Sequence, residues 1–205
     1  MTTTLPTSHS APPATRMQRL REATRLPHAQ IEGSLPLLDP GLSPARYRSV
    51  MAAFYGFYAD LEPRLLLAAG LHAADIELGR RAKIPLLLLD LRALGRASDQ
   101  IAGLPRCTDL PLSPTPSHAL GTLYVLEGAT LGGQVIARNL RAALGLGPTN
   151  GAAFFDGYGG ETRLMWKGFS EHVDRAAALD VDALVASAVD TFEKLRVWLV
   201  AAVES

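Results

Sequence analysis

Residues 116–144 read as a single apolar helix of about eight turns, and no other feature of the chain restricts its fold as much. Thr115 followed by Pro116 is a cap-and-proline start, because the amide that proline lacks would go unsatisfied in a first turn anyway. The segment GLGPTNG (145–151) ends the helix. Inside it, LEGATLGGQVI (126–136) carries Gly128, Gly132 and Gly133. At about 0.8–1 kcal/mol for each glycine relative to alanine, the three cost the helix roughly 3 kcal/mol. Gly128 and Gly132 lie one turn apart on the same face, with Gly133 beside them. Close helix–helix packing through small residues is one explanation, and a flat ligand against bare backbone is another. A membrane dimer motif is not, since Glu127 interrupts the run and no long apolar span surrounds it.

The rest of the chain lacks alternating strand patterns and is rich in Ala, Leu and Arg. Arg16 to Glu32 reads as a helix with Leu20, Ala23 and Ile31 on or near one face, kinked or restarted at Pro27. GSLPLLDPGLSP (33–44) reads as a loop, and Ser43 with Pro44 opens a helix carrying Met51, Phe54, Phe57 and Tyr58. Further helices are expected around 75–97, 161–178 and 181–203, with PRCTDLPLSPTP (105–116) separating two of them. At 205 residues and 48% hydrophobic, the chain supports one sizeable core and is short for two. The expectation is one all-α domain over residues 16–205 with about seven or eight helices, preceded by a disordered Thr/Ser/Pro-rich tail at 1–15.

Lys+Arg and Asp+Glu are equal at 20 each, which argues against a dedicated nucleic-acid binder. The single cysteine, Cys107, excludes an internal disulfide framework and fits a reducing cytoplasm. The N-terminal residues lack the apolar stretch of a secretory signal. The most apolar block, IPLLLLDL (84–91), contains Asp90 and is far too short to span a bilayer, so a soluble, cytoplasmic protein is expected.

A ligand against the glycine face needs a group opposite it. His28 is the best placed of the five histidines, with Glu32 four residues later on the same face to orient the ring. The same pair also reads as an ordinary surface contact. His9 falls in the tail, His72 near a turn, and His118 and His172 near helix ends or on polar faces. A di-iron site built from Glu-x-x-His pairs has no such pair to draw on.

ATRLPHAQIE (23–32), followed by LYVLEGATLGGQVI (123–136) and FFDGYGGETRLMWKGF (154–169), resembles the biliverdin-forming heme oxygenases, most closely the bacterial branch associated with bacteriophytochromes. The likeness spans roughly residues 16 to 200 in the right order. It implies the heme-oxygenase-like helical fold, with heme b between a proximal helix bearing His28 as the iron ligand and a distal helix. Gly128, Gly132 and Gly133 would bring distal backbone within reach of O2. Heme would be both cofactor and substrate, opened with O2 and electrons to biliverdin, CO and ferrous iron. A neutral histidine suits this better than a thiolate, which favours O–O cleavage.

The resemblance also implies cations for the heme propionates. Arg21, two turns before His28, matches one such position, and Lys167 a second; Trp166, Phe169 and Tyr124 would border the pocket or belong to the core. Ser170 and Glu171 stand where a further basic residue is expected. Ala129 stands where mammalian-type relatives carry an aspartate that organises proton-delivering waters, and Glu127 points about 200° away around the helix. That departure leaves a non-catalytic heme-binding or heme-delivery protein as the alternative. With no nucleotide-binding glycine loop, electrons would come from an external donor, a ferredoxin or flavodoxin with its reductase, near Arg16, Arg19 and Arg25. A bacteriophytochrome is the implied consumer of the product.

Overall fold

The computed structural model describes residues 14–67, 76–176 and 178–204. His9, His72 and residues 1–13 of the expected tail lie outside the described residues. Eight α-helices occur among the described residues, and no strand. They are α1 (Arg16–Ser34), α2 (Pro44–Leu66), α3 (Ile84–Ala93), α4 (Ser98–Ala102), α5 (Pro116–Leu144), α6 (Ala153–Asp156), α7 (Thr162–Arg175) and α8 (Val181–Glu204). None of them is long and apolar enough to cross a membrane.

α5 has the ends its sequence predicts. The Thr115 hydroxyl accepts from the His118 amide, and Gly145 closes the helix in the left-handed region at φ 67°. α5 packs along α8. At their contact, a Cβ on Gly121 would run into the Leu184 carbonyl and the Ser187 side chain. Buried hydroxyls line the same seam, with Thr122 3.1 Å from Ser187 and Thr191 donating to Thr122 at 3.2 Å. Close packing of α5 on α8 is made at Gly121, outside the glycine-rich segment.

Two expectations need correction at the element level. α1 runs unbroken through Pro27, so there is no restart. Its buried face carries Thr24 while Ala23 is exposed, because the Thr24 hydroxyl is satisfied by the Leu20 carbonyl at 2.7 Å and by Tyr124 at 3.3 Å. The helix expected at 75–97 is a 3-10 turn at Leu78–Arg81 followed by α3. The break falls where Pro85 must sit in a first turn and where Glu62 takes the Lys83 and Ile84 amides. Ser43 caps α2 as predicted, and Tyr47, Met51, Phe57, Tyr58 and Leu61 of that helix are fully buried at the centre of the core.

Candidate functional site

α1 and α5 flank a cleft of about 190 Å³. His28, Ile31 and Glu32 of α1 form one wall, and Gly128, Ala129, Gly132 and Ile136 of α5 form the other. Phe154 and Phe155 of α6 and Phe192 of α8 complete the lining. Apart from His28 and Glu32 the side chains lining it are apolar. The His28 ring stands edge-on to Phe192, with centroids 5.6 Å apart, and its Nδ1 is 3.4 Å from Glu32 Oε2. The pair is half-exposed and lies at ion-pair distance, with Nε2 as the other ring nitrogen. Among the described residues, no three His, Cys, Asp or Glu side chains gather as a metal cluster.

The three glycines separate. Around Gly132 nothing comes within 4 Å of a built Cβ, and near Gly128 only the Trp166 ring does, at 3.9 Å. Both open onto the cleft. Gly133 does not, because it is turned away and a Cβ there would lie 2.6 Å from the Phe155 carbonyl oxygen. Its lack of a side chain serves packing.

Several other predicted residues stand away from the cleft lining. Phe169 is fully buried, with the Arg81 guanidinium 5.7 Å from its ring centre. Tyr124 is a buried tie between α5 and Thr24. Trp166 lies between them, 5.7 Å from Tyr124 and 5.9 Å from Phe169, and borders the cleft only through Gly128. Arg21 is exposed on α1, and Lys167 is an exposed side chain 3.8 Å from Glu171. The structure thus joins His28 and Glu32 to Gly128 and Gly132 directly, with the two cations outside the cleft.

Sequence reasoning missed what lies behind α5. Glu127, 1% exposed, faces away from the cleft into a buried cluster. Arg81 donates to its Oε2, and Lys83 Nζ and the Tyr158 hydroxyl reach its Oε1 at 3.2 and 2.7 Å. Lys83 Nζ also donates to Tyr158 at 2.6 Å and to the Arg81 carbonyl at 2.8 Å. Glu62 completes a balance of two cations and two anions. Burial pushes the Lys83 ammonium down and the Glu62 carboxyl up, while Glu127 opposes the shift at Lys83. A glutamate in the middle of an apolar helix was the available signal, since a buried carboxylate requires cations facing it.

The heme oxygenase family profile matches residues 14–201. Heme oxygenase PigA of Pseudomonas aeruginosa is 32% identical over 159 residues, covering 78% of this chain and 77% of its own length. The NO- and CO-bound heme oxygenase of Neisseria meningitidis superposes with a TM-score of 0.77 at 21% identity, covering 94% of both chains. The heme oxygenase of Leptospira interrogans does so with 0.77 at 18% identity, covering 92% of this chain and 100% of its own. At those identities the two solved structures show a shared fold.

Proposed function

The chain belongs to the heme oxygenase family, and we propose that it opens heme to biliverdin, CO and ferrous iron in the cleft between α1 and α5. The observation that carries this reading is the pairing of a histidine with a side-chain-free helix face across an apolar cleft. An apolar wall accepts a flat macrocycle, and His28 is the one imidazole lining the cleft, so it is the iron ligand of this reading. Heme supplies the iron at which O2 is activated and is itself the substrate consumed.

Gly128 and Gly132 leave room for O2 above the opposite face of the macrocycle. Glu32 stands beside His28 Nδ1 and would direct the ring on ligation. Arg21 is exposed on α1, and Lys167 is exposed and paired with Glu171; both would turn to hold the propionates. The cleft is narrower than the roughly 300–1,000 Å³ usual for small-molecule sites. Binding therefore spreads α1 from α5. The second half of α1 permits this, since among the described residues its polar contacts stay within the helix, at His28–Glu32, Arg25–Glu22 and Ser34–Gln30. Electrons come from a ferredoxin or flavodoxin with its reductase, and a bacteriophytochrome is the proposed consumer of biliverdin. The lone, buried Cys107 is compatible with a reducing cytoplasm.

One observation favours a second reading. Ala129 lines the cleft and brings no carboxylate to the O2 side, as a heme-binding protein without turnover would have it. Hemin titration followed by reduction in air separates the two. The expected result is one hemin per chain with a histidine-ligated spectrum, lost in His28→Ala, and biliverdin on chromatography of the products. Intact heme after reduction in air would replace the catalytic reading with the heme-delivery one.

A further inference from the structure

We propose that Tyr158 is a positioning residue for the glycine face of α5, holding the Glu127 carboxylate and thereby setting how deep the backbone at Gly128 stands in the cleft. The inference rests on the proposed reaction for its consequence, but not for its structural content.

The loop and helices over residues 153–162 form a backing for α5, in contact with it residue by residue. The Phe155 carbonyl abuts Gly133, and Gly157 packs against Thr130, whose Cβ is 3.5 Å from a built Gly157 Cβ. Gln134 Nε2 donates to the Asp156 carbonyl at 2.7 Å. Positions 127, 130 and 134 fall within about 60° of one another around α5, on a side distinct from that of 128, 132 and 135. Everything that presses or pulls on this backing moves the bare face.

Within that backing, Tyr158 is the residue that reaches the Glu127 carboxylate. Gly157 and Gly159 flank it with φ of 60° and 55°, values an L side chain rarely adopts, and this double turn directs the ring inward. Its hydroxyl donates to Glu127 and accepts from Lys83, whose ammonium also lies 4.2 Å from the ring centre. Burial, then the Glu127 charge, push the phenol well above its ordinary pKa, so it stays a donor. Glu127 is the residue immediately before Gly128, so the carboxylate and the bare backbone move together. Arg81 extends the same cluster to the Met165 carbonyl, beside Trp166, the ring that borders Gly128.

Simple stability does not account for this arrangement. Buried ion clusters are commonly replaced by apolar packing without loss, whereas their geometry restricts a helix to one position. α5 is already fastened by its Thr115 cap and the Gly121 seam against α8. The stretch beyond that seam holds Gly128, Gly132 and Gly133 and has the lowest intrinsic helix propensity of α5.

Tyr158→Phe removes one oxygen atom and leaves the ring packing, so folding is not at stake. In the protein as purified, without hemin, amide hydrogen exchange at Gly128–Gly133 is expected to quicken about tenfold, while the amides of α8 stay within about twofold. With hemin added, affinity is expected to hold within about threefold while product formation slows about tenfold, a split that a merely structural loss would not produce. Unchanged exchange at Gly128–Gly133, or an equal rise across α5 and α8, overturns the proposal. So does the local exchange pattern with undiminished turnover. A wild-type chain that takes up no hemin, with the local pattern present in the variant, defeats the proposed function and leaves the positioning of α5 by Tyr158 upheld.

Discussion

Gly132 and Gly133 are adjacent in sequence and opposite in environment, so one methyl group added to each tests two different forces. At Gly132 the added Cβ meets nothing within 4 Å. Gly132→Ala is expected to stabilise the fold by about 1 kcal/mol through helix propensity. The same methyl enters the cleft, so hemin affinity and product formation fall. At Gly133 the added Cβ lands 2.6 Å from the Phe155 carbonyl oxygen. Gly133→Ala is expected to destabilise by about 1–3 kcal/mol, as overpacking does. Denaturant unfolding of both variants, with hemin titration of Gly132→Ala, checks the opposite signs; two changes of the same sign would refute the division of the glycine face. Sequence spacing located all three glycines but could not divide them, because facing a cleft and facing a carbonyl demand the same missing Cβ. His28 and Glu32 were legible because a helical pair four apart is a local relation. Arg81, Lys83 and Tyr158 were not, since their common partner Glu127 lies 31 to 46 residues away in the chain.

α3 and α6 meet at a single buried carboxylate whose state depends on pH. Asp90 is fully buried, and its two oxygens accept the Ala153 and Phe154 amides at 2.8 Å each. This joint holds Phe154 and Phe155, which line the cleft. Burial raises the Asp90 carboxyl to about 6, outweighing the two amides that lower it. A folded-state pKa above the unfolded value favours folding in acid. The contribution is fully present below the unfolded value of 3.8 and is lost as pH rises through about 6. At 1.36 kcal/mol for each unit, this amounts to about 3 kcal/mol. Unfolding free energies measured from pH 4 to pH 7 are expected to fall by up to that amount, and Asp90→Asn to flatten the profile. Glu62, also raised by burial, keeps its own part of the slope in the variant. An equally steep profile in Asp90→Asn would rule the assignment out. The element boundaries were legible where caps mark them, as at Thr115–Pro116 and Ser43–Pro44. α4 and α6, of five and four residues, span barely a turn and leave no period to read. The break between Arg81 and α3 was hidden because Glu62, whose carboxylate caps the first turn, comes from another helix.

At the scale of the whole molecule, the cleft joins α1 to α5, so a ligand that bridges them must raise the stability of the entire fold. Free hemin at about 100 times its Kd adds about 2.7 kcal/mol to unfolding. For a chain of this length each kcal/mol moves Tm by roughly 2–4 °C, so the expected rise is roughly 5–11 °C. On the proposed ligation, His28→Ala would remove the bond to iron and keep the apolar walls. Each tenfold loss of affinity takes away about 1.4 kcal/mol, or roughly 3–6 °C of that rise. Iron-free protoporphyrin loses the same bond from the other side. Wild-type protein with protoporphyrin is therefore expected to match His28→Ala with hemin, both stabilised by the apolar walls at Ile31, Ile136, Phe154 and Phe192 and by the proposed propionate contacts. Thermal unfolding of the four combinations separates the two contributions. No rise for wild-type protein with hemin overturns the heme reading of the cleft. Equal rises for wild type and His28→Ala with hemin would show that the iron ligand is some other residue, while leaving the apolar fit intact.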